Sequence, residues 1–319
     1  MARLKVIPHH ATLFVDFSVF VSYNIHMTKL EQHITDYISE LEERKGRSVR
    51  TVRNYDFYLR RFATWLRENK VRSIEKFDEK DLEKYKRWLS QYQDPIRKVI
   101  LKTTTQNYHL IALRGFLEYL YRIKVDSLKY NHVKLVKLVK KQIVFLEKDE
   151  LVELLEAPHD YDQDKIIKRR DKAILELLFS TGLKVSEVSG LQIAQLKPSV
   201  KKLEKLKTSA TDEIKLSNQA IETIKKYLSV RKDSNKNLFI GHDRAINNRK
   251  KVNGLSPRSI ERIIEKYAKF ISLKKPVSPQ VIRHTFVINQ IMRGADIEKL
   301  RIQLGFNDLN TLKAYINRF

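Results

Sequence analysis

The last forty residues, "QVIRHTFVINQIMRGADIEKLRIQLGFNDLNTLKAYINRF" (residues 280–319), decide how the chain reads. Their apolar residues recur at helical spacing, and Gly294 and Gly305 fall where helices end. This predicts three short helices over 280–292, 296–304 and 308–317. The first carries the pair Arg283–His284, and the last carries Tyr315. An arginine fork suits phosphate oxygens, and a tyrosine is able to act as a covalent nucleophile. Its ordinary pKa of about 10 requires nearby cations to help it ionise. Taken alone the pattern is weak, because the chain has 14 tyrosines and most tyrosines serve packing.

Working toward the N-terminus, "NQAIETIKKYLSVRK" and "SPRSIERIIEKYAKFIS" are helical, and "KLEKLKTSATDEIKLS" suggests a short β-hairpin. "RRDKAILELLFSTG" is apolar nearly all round, which predicts a buried helix closed by Gly182. "EKDELVELLEA" reads as a short capped helix. Residues 126–143 lose the pattern and carry Lys129, Lys134, Lys137, Lys140 and Lys141 with no acid after Asp126. They form a basic linker, either tracking a phosphate backbone or simply a solvated connector. From Met27 to about Ile123 four helices follow one another. The second, "SVRTVRNYDFYLRRFATWLRENK", has Ser48 as N-cap and Val52, Tyr55, Leu59, Phe62 and Leu66 as its stripe. Its other face carries Arg50, Arg53, Arg60, Arg61 and Arg67. That face is either a DNA-binding surface or a solvated one.

The totals agree with two domains. The chain has 319 residues and 42% apolar content, enough for real cores. Lys plus Arg number 63 against 38 Asp plus Glu, a net charge of +25, which favours a polyanionic partner. Cysteine is absent, which excludes disulfides and thiol catalysis and fits a reducing cytosol. Residues 1–26 stand apart: "ATLFVDFSVFVSYNI" has the look of a signal-peptide core, but Asp16 interrupts it and no cleavage site follows. The expectation is a dispensable extension or a start at Met27. The expected organisation is therefore 1–26 extension, 27–125 helical DNA-binding domain, 126–143 basic linker and 144–319 catalytic domain. No Gly-rich phosphate loop or clustered metal ligands occur in the sequence.

From Met27 onward the chain resembles the tyrosine recombinases, on the Xer-like and phage-integrase branch. "SVRTVRNYDFYLRRFATWL" is similar to the family's core-binding domain and "VFLEKDELVELL" to the opening of its catalytic domain. "LLFSTGLKVSEVSGLQIAQL" resembles the first catalytic box, and residues 278–319 the second, with the interval from Arg283 to Tyr315 matching without a gap. The resemblance implies a mainly α fold: an N-terminal SAM-like helical bundle and a mostly helical catalytic domain with a small β-hairpin. It implies a cytoplasmic, nucleoid-associated enzyme that acts on double-stranded DNA with other recombinase subunits. Strands break and rejoin through a 3′-phosphotyrosyl link, with neither metal nor nucleotide cofactor. Tyr315 is then the nucleophile, Arg283 holds the phosphate, and His284 supports the geometry. Lys207, by an ungapped count, protonates the leaving 5′-oxygen, with Lys205 and Lys202 close by.

Three positions depart from the family pattern. Lys184 replaces the arginine of Gly-Leu-Arg, keeping the charge without the planar fork. Gln280 replaces a His or Lys, and Phe306 replaces a His or Trp and cannot donate a hydrogen bond. One lost donor typically costs about 100- to 1,000-fold in rate. Only "INRF" follows Tyr315, where family members often carry a further helix that docks on a neighbouring subunit. A catalytically impaired DNA-binding paralogue is thus the competing reading. A generic RNA-binding helical protein is a third and requires the box spacing to be accidental.

Overall fold

The computed structural model describes residues 29–43, 46–95, 98–138, 142–197, 205–206, 214–242, 254–306 and 308–316. Internal contacts divide the chain into two units, Met1–Lys140 and Lys141–Phe319. Residues 1–28, Lys140, Lys141, Lys202 and Lys207 lie outside the described residues, so the readings made on them have no structural account here.

Unit 1 contains α1 (Lys29–Glu43), α2 (Val49–Glu68), α3 (Glu79–Gln91) and α4 (Thr103–Arg122). Ser48 caps α2 by accepting the Thr51 backbone N–H, and Asp78 caps α3 by accepting that of Asp81. The expected stripe of α2 turns inward: Val52, Leu59, Phe62 and Leu66 are buried, and Tyr55 is half-buried. They meet Ile34, Tyr37 and Leu41 of α1 and Leu113, Phe116, Leu117 and Leu120 of α4 in one core. At Gly115 of α4 an added Cβ would lie 2.4 Å from the Tyr37 hydroxyl, so only glycine lets α1 approach this closely. The chain beyond α4 stays on this unit. Val133 is 1% exposed, and the Asn107 amide exchanges two hydrogen bonds with the Val136 backbone.

Unit 2 is built around α6 (Lys165–Thr181), which buries residues on nearly every side. Around it stand α5 (Lys148–Asp160), α7 (Val185–Ser189), α8 (Asn218–Leu228), α9 (Pro257–Phe270) and α10 (Pro279–Met292). Then come α11 (Ile297–Leu304) and α12 (Asn310–Ile316), so all three expected C-terminal helices are present. The expected hairpin is the pair β2 (Lys205–Leu206) and β3 (Ile214–Lys215), with Leu206 opposite Ile214. A third strand, β1 (Leu196–Lys197), adds to it antiparallel in the order β1-β2-β3. The sequence pattern did not suggest β1, because two residues carry too little alternation to register.

One buried charge cluster ties α6 to α9. Asp171 has no exposed surface and accepts from Arg170 Nε (2.8 Å), the Tyr267 hydroxyl (2.7 Å) and Lys266 Nζ (3.1 Å). Burial and the neighbouring Asp171 carboxylate push the Tyr267 phenol well above its usual range, so it stays a donor. Among the described residues no helix is long and apolar enough to cross a membrane.

Candidate active site

Helix α10 presents the central residues. Ser278 caps it and Pro279 occupies its first turn, so the helix starts cleanly just before Gln280. Arg283 and His284 are consecutive on α10 and therefore point in different directions. Arg283 is 3% exposed. Its Nη1 donates to the Gly182 carbonyl (2.5 Å) and its Nη2 to the Leu304 carbonyl (2.7 Å). Both acceptors sit at helix C-termini, those of α6 and α11, where the helix dipole concentrates negative charge. Both helices end in a left-handed glycine, Gly182 at φ 64° and Gly305 at φ 62°. Burial lowers the Arg283 pKa from its usual value, and Glu187 and Tyr315 oppose that. Glu187 also accepts the Lys184 backbone N–H at 2.7 Å, fixing the start of α7.

Phe306 follows the Gly305 cap and places its ring 5.1 Å from the Arg283 guanidinium carbon. Tyr315, on α12, is 5% exposed and packs with Phe286, Val287, Leu300, Leu304 and Leu312. Burial raises its phenol above the ordinary value, and the Arg283 charge works in the opposite direction. The His284 ring meets the Tyr315 ring edge-on at 5.6 Å. His284 Nδ1 lies 3.0 Å from the Val144 carbonyl and its Nε2 lies 2.9 Å from the Gln280 amide nitrogen. A carbonyl only accepts, so Nδ1 carries the proton; the Gln280 amide then donates to Nε2. The imidazole is therefore neutral. Burial, with help from Arg283, lowers its pKa, and the Val144 hydrogen bond works against them.

The structure thus brings together Gln280, Arg283, His284, Phe306 and Tyr315. Lys184 is exposed at the N-cap of α7, two residues beyond the carbonyl that Arg283 uses. Lys207 directly follows β2 in sequence. In unit 1, Arg50, Arg53 and Arg60 are exposed, and Arg60 pairs with Asp56 at 2.8 Å. Arg61 differs: its guanidinium lies between the Phe57 and Tyr92 rings, at 4.5 and 4.3 Å, and is half-buried. Lys137 is exposed. Among the described residues no group of three or more His, Asp and Glu is placed to hold a metal ion.

Residues 144–319 match the phage integrase family, and residues 34–124 match the phage integrase N-terminal SAM-like domain. The chain belongs to the phage integrase family. Similar relatives include a tyrosine recombinase XerC of Thermodesulfovibrio yellowstonii, 33% identical over 303 residues, with 91% of this chain and 92% of the relative covered. A tyrosine recombinase XerC of Pelotomaculum thermopropionicum is 29% identical, over 89% and 92%. Among solved structures, XerH site-specific recombinase bound to a palindromic difH substrate is similar with TM-score 0.66 at 18% identity, covering 92% of this chain and 87% of that one. A lambda integrase dimer bound to a core site follows with TM-score 0.63 at 13% identity, over 90% and 76%. These likenesses carry the fold: a mainly α integrase with a SAM-like bundle and a small sheet.

Within that integrase fold, several contributors were not singled out from sequence. The carbonyls of Gly182, Leu304 and Val144 have no sequence signal, since any residue supplies one. Glu187 had a signal, an acid three residues after the N-cap position. Thr285, with no exposed surface, accepts the Leu146 N–H at 2.9 Å and fixes the chain entering unit 2.

Proposed function

We propose that this integrase is a site-specific DNA recombinase that breaks and rejoins strands through Tyr315. Residues 27–125 grip duplex DNA, residues 144–319 carry out the chemistry, and 126–143 connect them. The Tyr315 oxygen attacks the scissile phosphorus, forming a phosphotyrosyl bond as the bond to the 5′-oxygen breaks. The phenolic proton passes to solvent and Lys207 protonates the leaving oxygen. A 5′-hydroxyl on a partner strand reverses the step, so no external energy source is required. Arg283 stabilises the charge on the phosphate in the transition state. His284, Gln280, Lys184 and Phe306 shape the surroundings. Exposed Arg50, Arg53, Arg60 and Lys137, with Arg61, Lys140 and Lys141, meet the DNA backbone. The enzyme acts with other recombinase subunits on cytoplasmic, nucleoid DNA.

The observation that carries this reading is the meeting of Arg283, His284 and Tyr315 from α10 and α12, where burial holds the Tyr315 phenol above its ordinary value and the Arg283 charge works against that. A second reading, an impaired paralogue, draws on the two carbonyls that already hold Arg283 and on the Phe306 ring over it. A suicide substrate nicked near the cleavage position separates them. A covalent adduct that vanishes in Tyr315→Phe supports the recombinase. Duplex binding without adduct at any protein concentration supports the paralogue.

A further inference from the structure

A cleft lies within unit 2 between α5, α6 and α8. Its volume is about 490 Å³, inside the range of about 300–1,000 Å³ that small ligands occupy. The α6 wall carries Lys165, Lys168, Arg169 and Lys172. These positions run i, i+3, i+4 and i+7, so they form one stripe over two turns, about 10 Å long. Lys226 lines the cleft from α8. Of the α6 cations, Lys172 is nearest to the turn at Gly182, ten residues or about 15 Å of helix away. The cleft therefore stands apart from the Arg283 site.

Neighbouring helices hold these head groups in place. Lys168 Nζ donates to the His159 carbonyl in the last turn of α5 (2.9 Å), and Arg169 Nη1 to the Lys226 carbonyl in the last turn of α8 (3.2 Å). A carbonyl orients a cation without cancelling its formal charge, and each head group keeps further N–H donors. Lys172 is paired with Glu156 (2.7 Å), which also lines the cleft, and with Glu176 (3.0 Å). Lys226 is paired with Glu222. Among the described residues no carboxylate pairs with Lys165, Lys168 or Arg169, so three cations on one stripe stay uncompensated. Sealing two helix ends accounts for Lys168 and Arg169. It does not account for Lys165, which extends the same stripe and is exposed.

We propose that this cleft is a second anion site, separate from Arg283, that takes a run of linked phosphates. The source is either a free polyphosphate, such as a nucleotide tail, or a nucleic-acid backbone. A single anion reaches only part of the stripe, whereas consecutive phosphates meet several fixed cations at once through charge-assisted hydrogen bonds. The Arg169 fork suits one phosphate in a bidentate way, and the lysines on either side of it along the stripe suit its neighbours as point charges. The site does not depend on Tyr315 or on the chemistry proposed for it.

The test titrates the full chain with sodium tripolyphosphate by calorimetry at about 0.15 M salt, where exposed charges are screened beyond about 8 Å. Lys165→Glu with Lys226→Glu reverses two cleft charges whose side chains hold no helix end. Lys269→Glu with Lys274→Glu makes the same change in net charge at exposed positions that do not line the cleft. The cleft pair should weaken tripolyphosphate binding by about tenfold or more, and the control pair by less than about threefold. Lys168→Gln removes a charge yet keeps an N–H for the His159 carbonyl, and should also weaken binding. Far-UV circular dichroism confirms that each variant is folded. Absence of binding to the wild type, or equal losses in the cleft and control pairs, overturns the proposal. A duplex of about three turns, followed by anisotropy, then identifies the source. If the cleft pair weakens duplex binding as much as tripolyphosphate binding, and duplex displaces tripolyphosphate, the cleft takes a nucleic-acid backbone. If duplex binding is unchanged in the cleft pair, it takes a free polyphosphate. Failure of the wild type to bind any duplex counts against the recombinase reading and leaves the tripolyphosphate result standing.

Discussion

Gly182→Ala probes the turn on which Arg283 depends, and Gly294→Ala is its control. Both glycines lie in the left-handed region, at φ 64° and 74°, so each substitution carries a backbone cost of about 1–2 kcal/mol. They differ in surroundings. A Cβ at Gly294 has nothing within 4 Å. At Gly182 it would sit 2.4 Å from Phe286 Cδ1, 2.8 Å from Phe286 Cε1 and 3.0 Å from Leu304 Cδ2. Phe286 and Leu304 are each 3% exposed, so neither ring nor methyl has room to withdraw. Overpacking of this kind costs about 1–3 kcal/mol more. Gly182→Ala should thus destabilise unit 2 by about 2–5 kcal/mol and Gly294→Ala by about 1–2 kcal/mol. For a unit of this size each kcal/mol moves Tm by about 2–4 °C. The two tryptophans, Trp65 and Trp88, both lie in unit 1. Tryptophan fluorescence therefore follows unit 1 and serves as the internal reference, and far-UV circular dichroism follows both units. If Gly182→Ala lowers the circular-dichroism transition no more than Gly294→Ala, the packing of Phe286 against this turn is wrong, and with it the account of how the Gly182 carbonyl is aimed at Arg283.

Asp171→Ala leaves Arg170 buried without its partner and should cost about 3–5 kcal/mol in denaturant unfolding of unit 2; a loss under about 1 kcal/mol contradicts the buried pairing. Phe306→His returns a donor and should raise the rate of adduct formation on the nicked substrate by about 100-fold or more, and Lys184→Arg returns the planar fork and should raise it too, with no gain in either refuting the account of a depleted phosphate clamp. His109, 1% exposed, has its pKa pulled down from 6.5 to about 3 by burial and by Arg61. The unfolded chain takes up that proton first, so unit 1 should lose stability as pH falls from about 6.5 toward about 3, and His109→Phe should flatten this limb of the tryptophan-monitored curve.

Much of the architecture was legible because periodicity and caps are local signals. The α2 stripe, Ser48 as N-cap, Gly182 and Gly305 as closers and the three C-terminal helices all follow from residues within a turn or two of one another. What stayed hidden depends on partners far apart in sequence. Asp171 gave no hint that Lys266 and Tyr267 would meet it, and Asn107 gave none that it would hold Val136. Arg61 looked like its neighbours on the basic face, yet the Phe57 and Tyr92 rings draw it in. Helical spacing placed it at the edge of that face, where an aromatic from beyond α3 decides whether a guanidinium points outward. The candidate site was legible in its residue types and interval, but not in what holds those side chains.

That difference changes the meaning of Phe306. Read from sequence, Phe306 only removes a hydrogen-bond donor from the phosphate site. In the fold it also adds a ring to a guanidinium that two helix C-termini already hold. The carbonyls of Gly182 and Leu304 stabilise the Arg283 charge where it is, and a phosphate must compete with them or use the remaining N–H groups. A cation that is well satisfied by the protein gains less on meeting the transition state, since only interactions stronger there than in the free enzyme accelerate the step. A histidine at position 306 would restore a donor, so its effect on rate and the effect of weakening the Leu304 contact should not simply add: both act on the same guanidinium. In the proposed reaction, the efficiency of Tyr315 therefore turns less on the phenol than on how much of Arg283 is free to face the phosphate.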